Sequence, residues 1–297
     1  MTASIKIPHL ELQDLAPAPE EEWARLLRFV GLTPQDKKLM ANSTETLLQR
    51  SHELVVGTYD YLRDTPDTAA VLGWEKGVDE KHLQERRQFF SVWLSRTLGL
   101  DTSDEFAYYL FRAGKFHAGH GPRRIHTPNK FVTGSIGLVL AAFARYMQEA
   151  KLSGDLIAGA MAGWNKYLPA QLHMMQLGYE VARELDNGRF PIPVSLYGRL
   201  RPIAGCDELS IRVVECAQVG DLLAKFFSYL PQTRTEALER IWHTHDKESS
   251  LWLETYPVYR PKGGWRVLLN GRDLRYNGGF TAPIHAQDTI AIFPPGR

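Results

Sequence analysis

The feature that most constrains this chain is a change of hydrophobic period near residue 190. From about Glu20 to Asp186, apolar residues recur three and four apart, the spacing that lines one face of an α-helix. After Pro191-Ile192-Pro193 they alternate. Val194-Ser195-Leu196 and Leu209-Ser210-Ile211-Arg212-Val213 put every second side chain on one face, as a half-buried strand does. One pattern cannot serve both structures. The chain therefore divides into a helical part over 20–188 and a strand-rich part over 193–297, with 1–19 as a flexible N-terminal segment. The 297 residues suit two domains of ordinary size.

Helix boundaries are legible in the first part. Trp23, Leu26, Leu27 and Val30 share a face. Thr33-Pro34-Gln35-Asp36 supplies an N-cap, a proline at the first helical position and an acid where the helix dipole favours an anion. The helix it opens is expected to run to about Leu62, with Leu47, Leu48, Leu54, Val55 and Tyr59 on its apolar side. Thr65-Pro66-Asp67 restarts a short helix, and Trp74 and Gly77 fall in a loop. Residues 82–98 form the next helix, ended by Gly99, and Thr102-Ser103-Asp104-Glu105 starts one that leads to His117. Pro128-Asn129-Lys130 opens a long helix through Ala150, and Ser153-Gly154-Asp155 another through about Leu185. The sum is seven or eight helices and no strand.

The second part adds a helix over 219–227, a strand over 265–269 followed by the tight-turn pair Asn270-Gly271, and a last strand within 288–295. This order implies a small α+β sheet with one helix packed on it. The fold class expected is multidomain, all-α followed by α+β.

Charge and cysteine usage bound the function. A formal net charge of +1 gives no basic field for nucleic acid. No apolar run reads as bilayer-spanning, and Met1–Pro8 is not a signal peptide, so a cytoplasmic protein with no membrane partner is expected. Cys206 and Cys216 lack metal-ligand spacing and read as reduced thiols.

The chemistry concentrates in Arg112-Ala113-Gly114-Lys115-Phe116-His117-Ala118-Gly119-His120-Gly121-Pro122, where a helix carrying His117 is broken by two glycines and a proline. On residues alone, such a histidine is more often a surface or satisfied core residue than a ligand. Four features favour a ligand. Tyr59 lies on an otherwise apolar face, and a buried phenol needs a partner. Gly114 sits inside a helix where alanine is better by about 1 kcal/mol, so something approaches closely there. His117 falls at the helix end. Phe89, Phe90, Trp93, Phe111 and Phe116 suffice to wall a flat apolar cofactor. His120 and His126 stand near enough to compete. Arg86 and Arg87 read as a solvated helix face, with a reach to a cofactor's acidic group left open.

Residues from about 28 to 185 resemble the protoglobin and globin-coupled sensor branch of the globins. The resemblance rests on Val30-Gly31-Leu32-Thr33, on Leu54-Val55-Val56-Gly57-Thr58-Tyr59-Asp60-Tyr61-Leu62 with Pro66, and above all on Ala113-Gly114-Lys115-Phe116-His117. Gly121-Pro122 and Phe131-Val132-Thr133-Gly134-Ser135 follow in the family's order, with Phe131 where the family has a tyrosine and Ala113 where it has isoleucine. The resemblance implies haem b with His117 as proximal iron ligand, Tyr59 as distal residue, and Phe90, Trp93, Gly114 and Phe116 about the cofactor. The second nitrogen of His117 is then expected to donate to a backbone carbonyl near Ala113. A Tyr59 hydroxyl bonded to an iron-bound oxygen adds about 1.5–3 kcal/mol and favours dioxygen over carbon monoxide. The other reading of Tyr59 is a buried phenol bonded to backbone. A homodimer through the last two long helices is also implied. Leu138, Val139, Ala142, Phe143 and Tyr146, with Leu172, Met175 and Tyr179, offer stripes that equally suit simple core.

Residues from about 193 to 297 resemble the ubiquitin-like sulfur carriers of molybdopterin and thiamine synthesis, a β-grasp family. The carrying pieces are Leu196-Tyr197-Gly198-Arg199-Leu200-Arg201, Val219-Gly220-Asp221-Leu222-Leu223, Leu269-Asn270-Gly271-Arg272-Asp273 and Asp288–Pro295. Two features depart from that family. Residues 231–262 form a longer, aromatic insert with His243, His245, Trp242, Trp252, Tyr256 and Tyr259, where a metal site is not expected. Gly296-Arg297 stands in place of the glycine pair that a thin sulfur-carrying tail needs.

The expectation is a haem-binding globin that reversibly binds O2, CO or NO and acts as a gas or redox sensor, with the β-grasp part as a protein-interaction output and no catalytic residues. Residues 187–191 are too short a connection for a free tether. The alternative is a sulfur-carrier-like or cofactor-pathway protein with a regulatory globin. A haem enzyme acting on O2 or NO ranks third, because neither a distal acid–base pair nor a reductase module is visible.

Overall fold

The computed structural model describes residues 9–246 and 253–295. The first eight residues, the His245 side chain, Trp252 and Gly296-Arg297 lie outside the described residues. The chain forms two units: Ala18–Glu180, and Val181–Arg297 together with Met1–Pro17.

The first unit is helical: α1 (Pro19–Phe29), α2 (Pro34–Gln49), α3 (Ser51–Asp64), α4 (Pro66–Leu72), α5 (Glu80–Leu98), α6 (Asp104–His117), α7 (Asn129–Glu149) and α8 (Gly154–Leu185), whose residues from Val181 belong to the second unit. The capping chemistry is built as the sequence implies. Thr33 Oγ1 accepts from the Asp36 amide at 3.1 Å while Asp36 Oδ2 accepts from the Thr33 amide at 2.8 Å. Ser103 and Asp79 cap α6 and α5 by accepting from the Phe106 and His82 amides, without the return bond. One boundary differs. The single helix expected from Pro34 to Leu62 is two, because Arg50 leaves helical geometry at φ −101° and ψ 5°. Its guanidinium holds Glu53 and Glu149 across the break.

The core of this unit is aromatic. Trp23 packs against Phe106 and Tyr167 with ring centroids 6.1 and 5.9 Å apart, and Trp164 against Phe143 at 5.1 Å. Two of the buried polar ends find partners, Trp164 Nε1 donating to Ser43 Oγ at 3.1 Å and the Tyr167 hydroxyl to the Asp101 carbonyl at 2.6 Å, while Trp23 Nε1 has none. Of the stripe read as dimer-forming, Val139, Ala142, Phe143, Tyr146 and Met175 are buried in the unit itself, and Leu138 is exposed. Contrary to the sequence reading, α7 is long and apolar enough, by length and composition, to cross a bilayer. It packs against α2 and α3 through Val132, Ile136, Val139, Phe143 and Met147.

The second unit contains β1 (Phe190–Leu196), α9 (Leu200–Ala204), β2 (Glu208–Val213), α10 (Val219–Tyr229), α11 (Arg234–Ala237), β3 (Leu238–Asp246), β4 (Leu253–Pro261), β5 (Arg266–Leu269), β6 (Arg272–Asp273) and β7 (Ile290–Phe293). Five strands form one sheet in the order β2-β1-β7-β5-β6; β1 and β7 are parallel and the other pairs antiparallel. Ile192, Val194 and Leu196 of β1 and Leu222, Leu223 and Phe226 of α10 belong to one buried core. Two hairpins joined by a parallel central pair and one crossing helix make a β-grasp fold. Pro191 and Pro193 are tolerated in β1 because its pairing with β7 begins only at Val194. Asn270 and Gly271 both take positive φ, 51° and 78°, as the tight turn after β5 requires.

Over its described residues the insert at 231–262 carries a ribbon, β3 paired antiparallel with β4. One part of this unit departs from expectation. The N-terminal segment is not free over its described residues. Leu12 is buried and exchanges backbone hydrogen bonds of 2.8 and 2.9 Å with Tyr259 of β4, and the Ala16 amide donates to Ser228 Oγ at 3.0 Å. An apolar Leu12 with a strand edge to pair gains more from burial than from remaining in water.

Candidate functional site

A cleft in the helical unit, with a cavity volume of about 180 Å³, opens between α3, α5, α6 and α7. That is below the about 300–1,000 Å³ of pockets that bury a drug-sized ligand, so a larger flat cofactor would have to part its walls. The floor is apolar: Leu62, Val71, Val132, Ile136, Val139 and Met175. Phe89, Phe90 and Trp93 of α5 form one wall, with Phe90 and Trp93 rings 5.2 Å apart. Ala113 and His117 of α6 form the facing one. Phe131 also lines this cleft, whereas Phe116 lines a neighbouring pocket that shares Arg86, Phe89, Tyr109, Ala113 and His117 with it.

His117 is the last residue of α6. Its carbonyl accepts from the Thr127 amide at 2.7 Å, Ala118 bridges to His126, and Gly119 turns the chain at φ 101°. The backbone on both sides of the ring is therefore fixed. The ring is partly exposed, but toward the cleft it lines, and burial, followed by the charge of Arg86, pushes its pKa down to about 4. The imidazole is neutral at physiological pH and can act as a metal ligand. Its Nδ1 is buried and has no hydrogen-bond partner. The bond expected from the ring to the carbonyl near Ala113 is thus not made by Nδ1. In a helix that runs to His117, that carbonyl serves the His117 amide.

Tyr59 lies in the same cleft, edge-on to Phe90 at 6.1 Å, and burial raises its pKa to about 12. Its hydroxyl donates to the Arg86 carbonyl at 3.0 Å. Of the two readings of this phenol, the structure shows the backbone-bonded one. Trp93 also has its polar end committed, Nε1 donating to Gln171 Oε1 at 2.8 Å.

Gly114 does not face the cleft. A Cβ there would sit 1.8 Å from the Met175 carbonyl oxygen, so its close neighbour is α8 and not a cofactor. His120 and His126 do not line the cleft either; His126 Nε2 lies 2.7 Å from the Tyr179 hydroxyl. Arg86, read as a solvated residue, lines the wall instead, while Arg87 pairs with Asp60 at 3.4 Å. Thr58, Tyr109 and Met175 were not read as cleft residues, because their place in the cleft depends on how the helices cross.

Among the described residues no three His, Cys, Asp or Glu side chains gather to hold a metal ion. One neutral histidine in an apolar slot suits an iron that brings its own in-plane ligands, as haem does.

The protoglobin family model matches residues 19–184, more than half of the chain. The chain belongs to the protoglobin family, which implies a haem cofactor. Similar solved structures include the globin domain of a Geobacter sulfurreducens globin-coupled sensor (18% identity, 52% of this chain and 96% of that one, TM-score 0.44). Another is the ferric globin domain of E. coli DosC (15% identity, 54% of this chain and 98% of that one, TM-score 0.42). Over the strand-rich part, the chain is similar to small archaeal modifier protein 1 from Methanosarcina acetivorans (24% identity, 37% of this chain and 96% of that one, TM-score 0.28). No curated protein matches the chain.

Proposed function

We propose that the helical unit binds haem b through His117 and reversibly binds a diatomic gas, and that the β-grasp unit is the protein-binding output of a gas or redox sensor. The observation that carries the reading is the neutral His117 ring, with its buried, unpartnered Nδ1, on the wall of an apolar cleft in a protoglobin-family fold. Phe90 and Trp93 would pack the macrocycle from the α5 side, opposite His117, with Phe116 in the neighbouring pocket. The bound group supplies an iron with a coordination position open to O2, CO or NO. Tyr59 has one O–H to give and gives it to the Arg86 carbonyl. Stabilising a gas ligand would exchange one hydrogen bond for another, a net gain of at most about 1 kcal/mol. A homodimer through α7 and α8 belongs to the same proposal. Because most of the expected stripe is core, it would use the exposed side of α7 at Gly134, Gly137, Leu138 and Ala141.

The test is the absorption spectrum of the full chain, ferric, reduced and with CO, beside His117→Ala. The wild type should show a haem spectrum with a single protein ligand that shifts on adding CO. Unchanged haem content and spectrum in His117→Ala would defeat the assignment.

A further inference from the structure

Arg86 stands on the cleft wall in an arrangement that its hydrogen bonds cannot satisfy. Trp74 Nε1 lies 3.2 Å from His82 Nδ1, and Arg86 Nε lies 3.0 Å from His82 Nε2. Indole and guanidinium nitrogens only donate, and a neutral imidazole has one acceptor nitrogen. Burial, with the charges of Arg86 and Arg123, keeps His82 neutral by lowering its pKa. One of the two contacts is therefore N–H against N–H. Trp74 and His82 are both buried, and their rings pack at 5.3 Å. The unbranched Arg86 side chain is the partner that can yield.

Arg86 has no carboxylate partner among the described residues, and it lines both the apolar cleft and a neighbouring pocket that shares Phe89, Tyr109, Ala113 and His117 with it. The acid lining that neighbouring pocket, Glu85, is held by Arg123 at 2.7 Å. Arg112 and Arg124 line it too, and neither is ion-paired among the described residues. The cation shared by the two is thus poorly held.

We propose that Arg86 leaves His82 to receive a carboxylate that enters the cleft. Resting on the haem reading, this carboxylate belongs either to the cofactor itself or to a small free carboxylate seated beside it. Transfer replaces a donor–donor contact with a charge-assisted bond and leaves His82 Nδ1 to accept from Trp74.

The experiment titrates apoprotein of the full chain with ferric protoporphyrin IX and with its dimethyl ester, followed by absorbance. Ferric loaded protein is then titrated with formate. Each is repeated for Arg86→Gln and Arg86→Lys. The diacid should bind the wild type about tenfold more tightly than the diester, the difference that a charged hydrogen bond gives. Arg86→Gln should abolish that preference and Arg86→Lys restore part of it. If the preference survives in Arg86→Gln but formate affinity falls about tenfold, the free carboxylate is the ligand. If the wild type binds diacid and diester alike and formate affinity is the same in Arg86→Gln, the inference is overturned and the haem reading stands. If neither porphyrin binds, the haem reading falls and takes this one with it.

Discussion

At the scale of single residues, the cleft is defined by what each polar group already holds. Tyr59 is spent on a backbone carbonyl of α5 and His117 Nδ1 on nothing. Tyr59→Phe should therefore cost the apoprotein about 1 kcal/mol by removing the second hydrogen bond to the Arg86 carbonyl, which lies inside α5 and keeps its helical one. In haem-loaded protein it should lower O2 affinity by less than about tenfold, read by flash photolysis, since only a bond exchange is lost. A larger loss would show that the hydroxyl turns to the ligand. Asp36 gives the pH dependence. Its hydrogen bond from Lys166, then the Thr33 amide, hold its pKa below the ordinary 3.8. A depressed carboxylate stabilises fully above its unfolded value, and the gain is lost as pH falls through the lower folded one. Asp36→Asn should cost about 1 kcal/mol at pH 7 and flatten the acid limb of the urea midpoint below pH 4. That His117 closes a helix and that Tyr59 lies on a buried helix face was legible in the sequence from position and period. Their partners were not, because Tyr59 and Arg86 lie 27 residues apart on different helices.

At the scale of elements, the caps were legible and the crossings were not. Thr33-Pro34-Gln35-Asp36 carries its own geometry within four residues. The close approach of α6 to α8 is a property of two helices together. Gly114 announced that something comes near, but only the packing shows that it is backbone. Gly178 is the other half, where a Cβ would lie 1.9 Å from the Phe111 carbonyl oxygen. Gly114→Ala should force the helices apart and cost at least about 2–3 kcal/mol, with Gly178→Ala similar and the pair less than additive, since both relieve one contact. Thermal unfolding of the apoprotein measures this. An unchanged midpoint in Gly114→Ala would mean that the helices do not meet there. The break at Arg50 was hidden for the opposite reason: no glycine or proline marks it, and Glu149, which holds the arginine, lies on another helix. In β4, Pro257 and Pro261 obscured a strand that pairs with β3 along its length and with Leu12 at Tyr259.

At the scale of the whole molecule, the change of period near residue 190 separates two hydrophobic cores, one aromatic and helical, the other built from β1, β7 and α10. The compact units divide at Glu180–Val181, before the change of period, so that Leu185 of α8 already belongs to the second core, and the N-terminal residues, read as a free segment, join that core too. Leu12 shows that a segment of this length is claimed by whichever unit offers it an unpaired strand edge and an apolar seat. Each core should then answer to its own perturbation in scanning calorimetry. A ligand stabilises only the unit that binds it, by about 2.7 kcal/mol at a hundredfold excess over its dissociation constant. Haem should raise the transition of the helical unit by roughly 5–10 °C and leave the other in place, and His117→Ala should remove the shift. Leu12→Ala should do the converse, lowering the β-grasp transition by the about 2–5 kcal/mol of a buried leucine while haem affinity stays constant. If both transitions move together in either experiment, the two cores unfold as one, and a gas bound in the cleft would have a thermodynamic route to the output surface.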